Sequence, residues 1–337
     1  MDSSVTAALL KEQGYNVVGA YMKNWTKDLP GFECPWKEDF QDAKRVAVQL
    51  GIDFKVFDFE TQYKQKVVDY MIAEYKAGRT PNPDIMCNQE IKFKLFLETA
   101  LEEGADLVAT GHYARVKDGQ LLTAEDANKD QTYFLYRVTE DALKKTLFPL
   151  GGYTKPEVRD LAKKFGLVTA AKKESMGICF VGKVGIKEFL SQYVKTAPGA
   201  IINQDGARVG EHDGAIYYTI GQRSGLGVGG GLPYYVVGKD MAKNEVYVTT
   251  DLNDSRLWND KLQLTDVHWI NGQPTGSAVQ VRTRHRAALV TGTLDVASSD
   301  ANTLAVALKD DIRALTPGQS AVLYQGEHVI GGGIIVL

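Results

Sequence analysis

Asn16-Val17-Val18-Gly19-Ala20-Tyr21-Met22 and Asp53-Phe54-Lys55-Val56-Phe57-Asp58-Phe59 decide the fold class of this chain. Both read as strands, the first as a buried one, and what separates them reads as a helix from Asp39, a capping residue, through Gln49, with Gly51 as its stop. The alternation continues outward on both sides. Ser3 to Gln13 carries Val5, Ala8 and Leu9 at helical spacing and ends before Gly14. A helix over Gln62 to Ala77, a Pro- and Asn-rich loop from Gly78 to Asn88, a helix from Gln89 to Glu103 and a strand from Asp106 to Thr110 follow. Repeated βα units predict an α/β domain built on a doubly wound parallel sheet, with ligands at the C-terminal ends of its strands. Met22, Gly111 and His112 fall at such ends.

Such a domain ordinarily starts with a strand whose following loop holds phosphate on a helix N-terminus. This chain starts at the helix, so either the domain has an unusual edge or its first strand and loop are missing. Leu147 to Arg208 reads as helical and basic. After Gly210 the texture changes to glycine clusters and short β-rich runs such as Tyr234 to Val237, Glu245 to Thr249 and Ser277 to Arg282, with Gly331 to Leu337 suited to a closing strand. The expected organisation is a catalytic α/β domain over 1–146, a small helical central domain over 147–209 and a C-terminal β-barrel over 210–337.

Composition sets bounds. The 337 residues are 44% hydrophobic and 24% charged, ordinary for a soluble globular protein. The three cysteines are too sparse for a disulfide scaffold, and no C-x-x-C points to zinc. No secretory leader is read at Met1-Asp2-Ser3-Ser4, and no apolar run approaches the ~20 residues of a membrane span, so a cytoplasmic location is expected. Net charge is −3, yet Lys144 to Lys195 holds eleven Lys and Arg against four Asp and Glu, and Arg282-Thr283-Arg284-His285-Arg286 is a second basic knot. Charge alone leaves a nucleic-acid partner and a solvated face equally open.

Two cysteines stand out from apolar periodic runs: Cys87 in Asn82-Pro83-Asp84-Ile85-Met86-Cys87-Asn88, and Cys179 in Ser175-Met176-Gly177-Ile178-Cys179-Phe180. A lone cysteine usually fills a core; loop placement would instead give these thiols the access that exchange chemistry needs. Cys34 has no neighbouring ligand and reads as structural. Gly225-Leu226-Gly227-Val228-Gly229 lies in β-type sequence with no helix after it and reads as a turn rather than a nucleotide loop.

These stretches, with Tyr21-Met22-Lys23-Asn24-Trp25, Thr110-Gly111-His112-Tyr113-Ala114, Lys129-Asp130-Gln131-Thr132-Tyr133-Phe134-Leu135, Gly221-Gln222-Arg223 and Pro317-Gly318-Gln319, resemble the tRNA-specific 2-thiouridylases from Asp2 to Leu337. That family consists of PP-loop ATP pyrophosphatases that replace the C2 oxygen of a wobble uridine in tRNA by sulfur. The resemblance implies that ATP, with its Mg²⁺, is held by Asp2, Ser3, Ser4, Met22 and Gly111, and that no dedicated protein metal site is needed. It implies a persulfide on Cys179, supplied by a cysteine desulfurase or sulfur-relay protein; the persulfide sulfur attacks the base either directly or after release as hydrosulfide, with Cys87 completing transfer through a Cys87–Cys179 disulfide. Asp84 is the implied general acid/base; without the resemblance it reads as a turn aspartate. Asn82, Pro83 and Asp84 are implied to shape the pocket for the target base, and His112, Lys129, Asp130, Gln131, Arg284, His285 and Gln319 to meet tRNA, Asp130 by orienting a neighbour. His285 stands where the family has Tyr. The family's loop reads Ser-Gly-Gly-Val-Asp-Ser-Ser, of which Asp2-Ser3-Ser4 remain, with Met1 in place of the Val. A misplaced gene start or a truncation is the simpler expectation, and a naturally shortened protein the less simple one. A chain beginning here is expected to bind ATP poorly and to carry an unpaired sheet edge. Two other readings stay open: a PP-loop ligase that adenylates a small acid, and a non-catalytic tRNA-binding protein.

Overall fold

The computed structural model describes residues 1–28, 33–172, 185–229, 231–295 and 303–336. The βαβ reading holds. Strands Val18–Lys23 and Asp53–Asp58 pair in parallel, from Val18 opposite Asp53 to Lys23 opposite Asp58. Helix Trp36–Leu50 connects them and ends at Gly51, whose φ of +59° is the left-handed C-cap that glycine accepts without a Cβ penalty. A second parallel pair joins Val108–Ala109 to Thr146–Leu147. Among the described residues the two pairs are not hydrogen-bonded to one another, so the parallel sheet comprises two ribbons with free edges. Helix Asp2–Glu12 lays Val5 and Leu9 against Tyr113, Leu150, Val158 and Ala162. The largest core lies around Tyr63, Met71 and Ile91, each no more than 1% exposed; burying one such side chain is worth about 1.5–3 kcal/mol.

The middle of the chain departs from the helical expectation. Helices Lys155–Lys164 and Ile186–Leu190 are present, but strands begin at Gly199. Gly199–Ile202 pairs antiparallel with Arg208–His212 and parallel with Glu245–Thr249, which pairs in turn with Tyr235–Asp240. The expected division at 209/210 therefore runs through the strand Arg208–His212, in a sheet with its own core of Ile201, Val236, Val246 and Val248.

Six C-terminal strands close a barrel in the order Trp258–Trp269, Thr303–Arg313, Val290–Asp295, Ala278–Arg282, Ser320–Gln325 and His328–Val336, the last pairing back to the first. Alternate residues Leu262 and Leu264, Val279 and Val281, Leu304 and Val306 fill its interior. The glycine run in the closing strand has a steric reason. A Cβ at Gly331 would lie 2.1 Å from the His268 carbonyl oxygen, and one at Gly332 2.4 Å from that of Ala321. A hairpin of the N-terminal unit, Arg115–Lys117 and Gln120–Leu122, adds to the same strand, with Leu121 opposite Val329. Catalytic unit and barrel thus share a sheet.

Candidate active site

Cys87 lies in a helix, not a loop. Asn82 caps the turn Pro83–Met86, its side-chain oxygen accepting the Asp84 N–H at 3.2 Å, and Pro83 occupies the first helical position, where its missing N–H costs nothing. The chain continues as a nine-residue π-helical stretch, Cys87–Leu95, a rare geometry that favours functional sites. Cys87 is only 4% exposed and belongs to the main core, so the expected loop access is absent in this conformation. Burial raises the Asp84 carboxyl above the ordinary Asp range, opposed by the Lys92 ammonium. Asn88 is 3% exposed; its Nδ2 donates to the Phe134 carbonyl at 2.9 Å, while its Oδ1 is buried without a hydrogen-bond partner. Lys92 and Asn88 were not singled out in the sequence, although the spacing 84, 88, 92 puts both near the Asp84 face of a helix.

The strand-end residues meet the first helix. Gly111 packs so closely on the start of Asp2–Glu12 that a Cβ there would lie 2.7 Å from the Ser3 nitrogen. Ser3 is exposed at that N-terminus and Ser4 is buried. Asp2 does not present a bare carboxylate: Lys155 Nζ donates to its two oxygens at 2.7 and 2.9 Å, and the Tyr113 hydroxyl donates at 3.4 Å. An anion would repel phosphate, so the fitting role for Asp2 is to hold the buried Lys155 ammonium beside the helix N-terminus, whose dipole favours negative charge. Lys155, a third residue of the site that the sequence reading does not single out, comes from a helix more than a hundred residues away. Met22 packs on the edge of the main core.

His112, which the resemblance implies meets tRNA, is buried. It is 8% exposed, lies 5.7 Å from Phe93 and 6.0 Å from Phe148 by ring centroids, and shares a 2.7 Å hydrogen bond between its Nδ1 and the Thr110 hydroxyl. Burial, with Lys92 nearby, holds its pKa well below the ordinary value, so it is neutral at pH 7. Asp130 is likewise buried. It accepts from Ala124 N at 2.8 Å and from the Thr132 hydroxyl at 2.5 Å. Gln131 is tied to Tyr113 through both its backbone N–H and its side-chain oxygen, each at 2.9 Å. Lys129 is half-buried on the same turn.

The barrel residues also turn inward. Arg284 Nη2 donates to the carbonyls of Ala314 at 2.6 Å and Ile220 at 3.2 Å and to the Thr316 hydroxyl at 2.9 Å, although the residue as a whole stays exposed. His285 packs on Phe134, ring centroids 4.6 Å apart and planes inclined at 42°, a tilted contact within the protein. Gln319 donates from Nε2 to the carbonyls of Thr80 at 2.7 Å and Pro81 at 3.3 Å. Much of the basic middle is paired: Lys144 with Glu140, Lys164 with Glu12, Lys172 with Asp39 and Asp42, and Lys187 with Asp213. Exposed pairs of this kind are screened by solvent and weak enough to yield to phosphate.

Cys179 lies outside the described residues. Cys34 is half-buried against the main core, where its S–H donates to the Trp25 carbonyl at 3.7 Å and burial raises its pKa. Among the described residues no group of three or more His, Cys, Asp and Glu side chains is placed to hold a metal ion, and no helix is long and apolar enough to cross a membrane.

Three family models match in succession: a tRNA methyl transferase HUP domain over residues 1–183, a tRNA methyl transferase PRC-barrel domain over 187–250 and an aminomethyltransferase β-barrel domain over 259–335. Among curated proteins the chain is 50% identical to the tRNA-specific 2-thiouridylase MnmA of Bacillus licheniformis and 49% identical to that of Bacillus subtilis, in both over 99% of this chain and 92% of the relative. The protein of that name from Listeria monocytogenes is 48% identical over the same shares. The chain belongs to the tRNA-specific 2-thiouridylase family.

Proposed function

We propose that this protein carries out ATP-dependent 2-thiolation of the wobble uridine in tRNA. The observation that carries the reading is the placement of Asp84 and Cys87 on one turn, opened by Asn82 and Pro83, next to Lys92, whose charge also reaches the strand-end His112. The C2 oxygen of uracil is a poor leaving group. Its attack on the α-phosphorus of ATP, which brings its own Mg²⁺, releases pyrophosphate and leaves an O2-adenylated base. The terminal sulfur of a Cys179 persulfide then bonds to C2 and expels AMP. Cys87 thiolate attacks the Cys179 sulfur, the sulfur–sulfur bond to the base breaks, and 2-thiouridine leaves behind a Cys87–Cys179 disulfide that an external dithiol must reduce. Asp84, whose raised pKa lets it hold a proton near neutrality more readily than an ordinary carboxyl, moves protons at the reacting base. Serine hydroxyls and the amides at the Asp2 helix start, with Lys155, face the phosphates, and Gly111 and Met22 the adenosine. The target base is drawn out of the anticodon stack into the pocket shaped by Asn82, Pro83 and Asp84, and a sulfur-relay protein or cysteine desulfurase supplies the persulfide.

The burial of Cys87 favours one alternative, a tRNA-binding protein without sulfur transfer. The two part in an assay with tRNA, ATP, Mg²⁺ and a cysteine desulfurase with cysteine as the persulfide source, run on this chain and on one extended upstream by a strand and Ser-Gly-Gly-Val. 2-Thiouridine that disappears in Cys179→Ser and Cys87→Ser supports transfer. Binding of tRNA with no thiouridine from either protein sinks it.

A further inference from the structure

The backbone just ahead of Asn82-Pro83-Asp84 is held from two other parts of the molecule. Thr80 N–H donates to the Pro317 carbonyl at 2.9 Å, and Gln319 Nε2 donates to the Thr80 and Pro81 carbonyls. The Thr80 hydroxyl lies 3.1 Å from that of Thr219, in the central unit. Gly318 lets the two backbones meet: its φ is +90°, and a Cβ there would lie 2.8 Å from the Arg79 Cβ and 2.9 Å from the Thr80 nitrogen. Because both acceptors of Gln319 are carbonyls, its NH₂ must be the end that faces them. Both N–H groups are then spent, and what remains is an acceptor oxygen, which cannot bind phosphate. Arg79 is fixed in turn by Glu74, through bonds of 2.6 and 2.5 Å.

We propose that Gln319, with Gly318 and Thr219, is a positioning latch by which the barrel and the central unit fix the Thr80–Pro81 backbone, and with it the turn carrying Asp84 and Cys87, rather than a contact to RNA. The latch rests on the proposed function only for what the turn then does. Anchored three and four residues ahead of Asp84, the turn starts from a defined point. Released, Asn82 still caps it, but its position relative to the strand ends at Gly111 and His112 is no longer set.

The test uses the full chain with Gln319→Leu, read by amide exchange, tRNA affinity and thiolation at saturating tRNA. The latch predicts exchange at least tenfold faster in 79–88 with Ser320–Gln325 unchanged, tRNA affinity within twofold of the parent, and a thiolation rate at least tenfold lower. Unchanged exchange in 79–88, or tenfold weaker tRNA binding with the saturated rate intact, overturns it. Thr219→Val, which leaves the barrel untouched, serves if Gln319→Leu does not fold. It should speed exchange in the same segment at least threefold, and no change there overturns the latch. Should the parent form no 2-thiouridine, the function fails while the exchange result still decides the latch.

Discussion

Asp84 is the residue whose environment says most about its work. Its carboxyl is pushed up by burial, so between the unfolded Asp value near 3.8 and its higher folded value the native state binds more protons than the unfolded one. Stability contributed at this site therefore falls as pH rises through that window. Asp84→Asn should melt higher than the parent at pH 7, with the gap closing toward pH 4, while thiolation drops at least ~100-fold, the scale of a lost general acid/base. Thermal melts across pH and a nucleoside assay check both halves; a variant less stable at pH 7 would contradict the burial argument. The neighbouring orphan, Asn88 Oδ1, is a buried acceptor beside the same turn, where one unmade hydrogen bond costs about 1–3 kcal/mol.

At the scale of elements, Gly111→Ala is expected to force the start of helix Asp2–Glu12 away from the strand end. The new methyl meets backbone, not a flexible side chain, so a loss of about 1–3 kcal/mol in chemical denaturation and weaker nucleotide binding should appear together. In the central sheet, Lys239 on strand Tyr235–Asp240 donates to the Tyr218 carbonyl at 2.7 Å, and burial pulls its pKa down to about 8. The unfolded chain binds the extra proton between about pH 8 and 10.5, so the parent gains stability across that range relative to Lys239→Met; parallel denaturation series show whether the difference has that slope. The elements also divide by how far local pattern could reveal them. Helix Asp2–Glu12, the strand at Asp53 and the closing strand were legible because spacing and glycine stops act over a few residues. The Asn82-Pro83 pair misled, since a capping Asn followed by Pro marks a helix start and a turn alike, and the Gly199 strand was hidden under a basic composition that suggested helix. Lys155 on Asp2 and Gln319 on Thr80 join residues far apart in the chain, which no periodicity can reveal.

The whole molecule is tied across a seam in which barrel and catalytic unit share strands and buried hydroxyls. Tyr133 is 0% exposed and donates to the Ser320 carbonyl at 2.9 Å, while the Tyr136 hydroxyl lies 3.1 Å from that of Ser320. Tyr133→Phe should cost about 1 kcal/mol, and probes in the barrel and in the N-terminal unit should shift by the same amount, as one cooperative body requires. Separate shifts would mean that the seam is no structural bond. That body puts Cys87 under cover, so the proposed sulfur transfer would need a local opening, which tRNA binding would select.

A single-turnover reaction of the persulfide-charged protein with tRNA and ATP tests this account most directly. It should yield 2-thiouridine and AMP in equal amounts together with a Cys87–Cys179 disulfide seen by mass, while Cys87→Ser should stall with tRNA bonded through sulfur to Cys179. Thiouridine formed undiminished by Cys179→Ser, or AMP released with no disulfide in the parent, would contradict it.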